Sequence, residues 1–180
     1  MKPISTAYAG YRFRSRLEAR WAVFFDCLAI PYAYESEGYH LDTVRYLPDF
    51  VLNPATHPIY CEIKPPGEPT AGEREKARKL SHESARPVYI LCGDPYAGLV
   101  AGVSFAERYT PASFSRLTGE ALVIALFMGY SRMAIETAAT AAREARFEHG
   151  EMPQVAPIVL TRPNRVYDGP VTIYALTKSK

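Results

Sequence analysis

Residue types that could hold a cation stand close together in the segment YLPDFVLNPATHPIYCEIK, residues 46–64. Asp49 precedes a turn-rich stretch, Asn53–Pro58, and Glu62 and Lys64 follow it. Folded back about that stretch, the flanking apolar runs pair Leu52 with Ile59, Val51 with Tyr60 and Asp49 with Glu62. Alternation along a strand sends Glu62 and Lys64 to one face and Ile59, Cys61 and Ile63 to the other. Facing carboxylates repel across a ladder unless a cation lies between them. A hard divalent cation, which takes carboxylate oxygens, is one resolution. Lys64 as a plain ion-pair partner is the other. A slip of one residue would send Asp49 and Glu62 to opposite faces, so the register decides whether a site exists at all.

The elements that must position these residues can be read around them. In SRLEARWAVFFDCL, residues 15–28, Leu17, Trp21, Phe24, Phe25 and Leu28 recur at helical spacing, with Ser15 as N-cap and Pro31 as terminator. Residues 31–41 alternate as an exposed or edge strand would. Residues 46–52 and 59–64 form the hairpin. Residues 73–84 are polar almost all round and read as a solvent-facing helix with opposite charges at helical spacing. PVYILCG, residues 87–93, is a short apolar strand. A helix lying between strands implies a crossover in a mixed sheet. Residues 94–111 read as loop, and 112–128 as helix or strand. The Ala-rich stretch 131–149 reads as helix, and APIVLTRPN and PVTIYALTK as short strands. A soft boundary near residue 95 divides the chain into 1–95 and 96–180.

Glu18 is a third acid, three residues after Ser15, and the helix can bring it to the sheet edge. Ser15-x-x-Glu18 is also a capping box, which accounts for the residue without any chemistry. In combination, Glu18 on the first helix, Pro48-Asp49, and Glu62-Ile63-Lys64 on the next strand resemble the PD-(D/E)XK nuclease superfamily. SRLE, LPDF and EIK together are similar to the N-terminal nuclease domain of heteromeric-transposase endonuclease subunits and to small phage-encoded nucleases. The resemblance covers residues 10–93. It implies an α/β fold with a restriction-endonuclease-like core (helix, three strands, helix, strand, in a mixed sheet); residues 96–180 read separately as a largely helical C-terminal appendage of helix and short strands. It implies that Asp49, Glu62 and the carbonyl of Ile63 hold Mg²⁺, with Mn²⁺ as a substitute, and that Glu18 binds directly, through water, or at a second ion. Lys64 would orient water or stabilise developing charge. The implied activity is metal-dependent hydrolysis of DNA phosphodiesters in recombination, repair or phage DNA processing. The alternatives are a nuclease-like fold that binds nucleic acid without cutting, and a subunit that cuts only within a larger complex.

Further residues suit either a DNA partner or a solvated face. Arg12, Arg14 and Arg16 interleave with aromatics in YRFRSR, as in a backbone-gripping arm. Lys76 and Lys79 share a helix face that can meet phosphate. Arg143 and Arg146 follow on the Ala-rich helix. Tyr39, Tyr46 and Tyr60 either line the cleft or pack. The four histidines are scattered and receive no role.

The 180 residues carry a net charge of only +2, but both ends are basic. Residues 1–20 hold Lys2, Arg12, Arg14, Arg16 and Arg20 against Glu18. Cys27, Cys61 and Cys92 lie in apolar runs without metal-ligand spacing, as buried thiols in a reducing compartment would. No secretory signal is read, and ALVIALFM is too short to span a bilayer. A cytoplasmic protein with no membrane partner is expected. A homodimer and a partner enzyme docked through the C-terminal half are both open.

Overall fold

The computed structural model describes residues 3–41, 44–53 and 55–147. Its centre is a six-stranded mixed sheet in the order β10-β9-β8-β7-β6-β3. The strands are β3 (Tyr32–Tyr34), β6 (Phe50–Leu52), β7 (Ile59–Lys64), β8 (Val88–Cys92), β9 (Ala106–Thr110) and β10 (Ser113–Leu117). Two small hairpins, β1 (Thr6–Tyr8) with β2 (Tyr11–Phe13) and β4 (Tyr39–Leu41) with β5 (Val44–Tyr46), flank it. Only β7 and β8 run parallel, joined by the helix α2 (Ala71–Ser84) as the crossover that parallel strands require.

The hairpin register is the expected one: Leu52 pairs with Ile59, Val51 with Tyr60 and Phe50 with Cys61. The expected strand 46–52, however, is two pieces. β5 pairs with β4 and leaves the main sheet, and β6 starts only at Phe50. Pro48 has no N–H to give a ladder, which suits a break at Leu47–Asp49. The edge strand expected over 31–41 likewise divides into β3 and β4, with Glu35 in the left-handed region at φ 43°.

Each sheet face buries a different layer. On one lie Phe50, Leu52, Cys61, Ile63, Tyr89 and Leu91, covered by the helix α1 (Arg16–Cys27). α1 is capped by Ser15, whose side chain accepts from the Glu18 N–H. Behind α1 packs α4 (Arg132–Glu144), where Ala134, Ala138, Ala139 and Ala142 are small enough to admit a close helix approach. On the other face, Val51, Tyr60, Val88, Ile90 and Tyr109 pack under α2. α2 is therefore not solvent-facing all round, because Ala77, Leu80 and Ser81 form a narrow buried stripe. Its Thr70 and Glu73 make a reciprocal capping box that starts the helix two residues earlier than its charge pattern suggests.

Residues 94–111, read as loop, contain a π-helical turn (Tyr96–Val100) and β9. Residues 112–128 resolve into β10 and then α3 (Gly119–Phe127). β9 and β10 continue the main sheet, so the chain beyond residue 95 extends the core and does more than rest on it. The short strands expected beyond residue 155 lie outside the described residues. All three cysteines are buried and free. No single helix among the described residues is long and apolar enough to cross a membrane. α3 and α4 reach that length only as a pair bent by 99°.

An ion pair between the partly exposed Arg74 and the buried Glu107 ties α2 to β9. Glu107 is fully buried and accepts from Arg74 Nε at 3.1 Å on both oxygens and from Arg74 Nη2 at 2.9 Å. Tyr109 donates to the same carboxylate at 2.6 Å. Removing the guanidinium takes charge-assisted hydrogen bonds from a buried carboxylate, which is destabilising. Here Arg116, 3.5 Å away, remains to share Glu107. Arg74→Ala is therefore expected to lower the midpoint in urea unfolding, with Arg116 limiting the loss.

Candidate active site

Extending the hairpin register by one position places Asp49 opposite Glu62, with both residues on the α2 side of the sheet. Asp49 is 5 % exposed. Its Oδ2 accepts from the Ile63 N–H at 2.7 Å, and its Oδ1 lies 3.4 Å from Arg14 Nη2. Glu62 accepts from the Tyr46 hydroxyl at 2.9 Å and forms an ion pair with Lys64 at 2.8 Å. Lys64 also reaches Glu73, at the start of α2, at 3.1 Å.

Glu18 arrives from the other layer. α1 lies on the opposite sheet face, and its first turn brings the carboxylate round the end of the sheet into the same cleft. There Glu18 Oε2 accepts from the Tyr34 hydroxyl at 2.5 Å and the Arg14 N–H at 3.1 Å, and Oε1 accepts from the Ser15 hydroxyl at 2.7 Å. The reciprocal capping box is not formed, but Glu18 both supports the start of α1, through the Arg14 N–H in place of the N-cap amide, and lines the cleft with the other two acids. The cleft encloses about 760 Å³.

Electrostatics follow from this crowding. Burial, and then the charge of Glu62, push the Asp49 carboxyl up to about 8. The Ile63 N–H and Lys64 oppose that rise, and Glu18 adds to it. Burial disfavours charge on Lys64, but Glu62 and Glu73 outweigh it and keep the ammonium protonated. Burial and Glu62 push the Tyr46 hydroxyl far up, so it stays a donor.

Asp49, Glu62, Ile63, Lys64 and Glu18 all line one cleft, as do Arg14 and Arg16. Arg14 is already engaged, through Glu35 and Asp49. Its neighbour Arg12 is exposed on β2 beside the fully buried Phe13, so the expected arm is a folded hairpin. Arg12, Lys76 and Lys79 do not line the cleft. Of the three tyrosines, Tyr46 touches the site, whereas Tyr39 and Tyr60 bond each other at 2.7 Å. Sequence reasoning missed Tyr34 and Glu73. The Thr70-x-x-Glu73 capping box marks where α2 begins, and hence that Glu73 sits at the end nearest β7.

Among the described residues, no three His, Cys, Asp or Glu side chains are gathered closely enough to form a ready-made metal cage. The donors nonetheless have the chemistry of a hard-cation site. They are carboxylate oxygens and a backbone carbonyl, and at least one acid is held in a state that added positive charge would relieve. Compared with known proteins, the chain matches no family model, and neither a curated protein nor a solved structure matches it.

Proposed function

We propose that this protein is a metal-dependent nuclease that hydrolyses DNA phosphodiesters at the cleft lined by Asp49, Glu62, Lys64 and Glu18. The observation that carries the reading is the buried Asp49. It is fixed on the Ile63 N–H in a register that aims it at Glu62, with a lysine next along the same face. Burying two facing acids is costly unless a cation joins them.

Asp49 and Glu62, with the Ile63 carbonyl, would hold Mg²⁺ or Mn²⁺, and Glu18 faces the same space. When bound, the ion supplies charge neutralisation at the phosphate and acidification of water. The chain's own residues do the rest. Tyr46 and the Ile63 N–H each hold one carboxylate, Glu62 and Asp49, in place at the cleft wall. Tyr34, Ser15 and Arg14 do the same for Glu18. Lys64, kept protonated and held by Glu62 and Glu73, presents a cation where negative charge builds on a phosphate.

The test is a panel of labelled DNAs and RNAs (linear, flapped, nicked and four-way), incubated with and without Mg²⁺ or Mn²⁺. Cleavage of at least one DNA, abolished by chelation, is expected. Binding without cleavage of any substrate would favour the non-cleaving reading, and cleavage indifferent to chelation would remove the metal from the proposal.

A further inference from the structure

A second cavity, about 640 Å³, opens where the start of α1 meets the end of α4. Its charged lining is four arginines, Arg16, Arg20, Arg143 and Arg146, against one carboxylate, Glu144. Arg143 and Arg146 are exposed. The Arg143 guanidinium lies over the Tyr96 ring, 4.6 Å from its centre, which holds its plane in place. The buried Nε of Arg20 has no hydrogen-bond partner among the described residues. Arg16 and Arg20 belong to the walls of both cavities, so the arginine pocket adjoins the carboxylate cleft.

The carboxylate cleft on its own is poorly suited to a polyanion, because its lining carboxylates outnumber its cations five to four. Affinity for a strand must come from beside it. The C-terminal end of a helix attracts basic side chains through its dipole, which accounts for Arg143 alone. It does not account for Arg146 just beyond, or for two arginines converging from the opposite end of another helix. Guanidinium groups in this number, fixed by a ring stack and a helix pair, match phosphate oxygens through paired N–H bonds.

Building on the nuclease reading, we propose that the arginine pocket is a phosphate subsite for the nucleic-acid strand. It takes an internal backbone phosphate away from the scissile one, so that the strand leaves the carboxylates along Arg16 and Arg20 and is gripped by Arg143 and Arg146.

The test measures binding of fluorescent single-stranded and duplex oligonucleotides in chelator, over a range of salt. The proteins are the wild type, Arg143→Ala/Arg146→Ala and Arg143→Lys/Arg146→Lys, with folding of each checked by thermal melting. Each phosphate contact contributes about 0.7–0.9 to the slope of log affinity against log salt. The alanine pair is expected to weaken binding by about tenfold or more at low salt and to flatten the slope by roughly 1–2. The lysine pair is expected to keep the slope and lose part of the affinity. An unchanged slope in a folded alanine pair overturns the proposal. So does a loss seen only with 5′-phosphorylated oligonucleotides, which would make this an end-phosphate site. Protection by inorganic phosphate that depends on Arg143 and Arg146, with oligonucleotide binding unchanged, would make it a small-anion site and equally overturns it. No nucleic-acid binding at all overturns it together with the nuclease reading. Binding with the expected slope change but no cleavage by the wild type sinks the nuclease reading and leaves the subsite standing.

Discussion

Asp49→Asn is expected to lower metal-dependent DNA cleavage by at least about 10²- to 10³-fold while leaving DNA affinity within a few-fold of the wild type. The substitution is a narrow one. An asparagine oxygen can still accept the Ile63 N–H that Oδ2 accepts at 2.7 Å, so the fold of β6 against β7 survives. What disappears is the negative charge that a cation would bind. Glu62→Gln acts on the same centre and is expected to lose a comparable factor. The double variant should be little worse than either single one, because groups that act as a unit are not additive. Asp49→Ala is the poorer probe, since it also strands a buried N–H at a cost of about 1–3 kcal/mol. The measurement is single-turnover cleavage beside equilibrium binding. Wild-type rates from both Asp49→Asn and Glu62→Gln would end the assignment.

The second large effect concerns stability without metal. Burial and Glu62 raise the folded-state pKa of Asp49 to about 8, from an ordinary value of 3.8. Between these values the folded protein keeps a proton that the unfolded chain has released. The folded state therefore binds more protons, and stability falls as pH rises through this window. The slope reaches up to about 1.4 kcal/mol per pH unit for one such group. In chelator, the melting midpoint is expected to be higher near pH 5.5 than near pH 8.5. Glu68, held low first of all by its hydrogen bond from Arg116, acts in the opposite direction, but only below the ordinary carboxylate range. On the proposed reading, Mg²⁺ would bind the ionised acids and raise the midpoint most at the alkaline end, by about 2.7 kcal/mol at one hundred times its dissociation constant. Asp49→Asn should flatten the pH profile and remove most of the Mg²⁺ effect. A wild-type midpoint that rises steadily from pH 5.5 to 8.5 in chelator would show that Asp49 is not held protonated.

Both predictions depend on a feature legible in the amino-acid sequence: a hairpin whose register sets two carboxylates face to face. The turn residues and the alternation of Leu52, Val51, Tyr60 and Cys61 leave little freedom, because a one-residue shift would turn Glu62 and Lys64 into the apolar layer under α1. The same local reasoning located α1, with its Ser15 cap, and the short apolar β8. It failed where the outcome depends on what packs on what. α2 looked polar all round because its buried stripe is only Ala77, Leu80 and Ser81, too small and mixed to give a strong period. β9 reads as loop because its inward residues are Ala106, a glutamate neutralised by Arg74, and a tyrosine.

The amino-acid sequence by itself determined which side chains could do chemistry and which face of each strand they occupy, since periodicity and turn residues are short-range constraints. Only the tertiary structure decided that Glu18 reaches the cleft from the opposite layer. It alone decided that Tyr46, Tyr34 and Glu73 orient the charged groups, and that Arg143 and Arg146 stand beside Arg16 and Arg20. Those meetings are set by how whole elements stack, as in the closure of the alanine face of α4 onto α1, and local sequence carries no record of the partner an element will find.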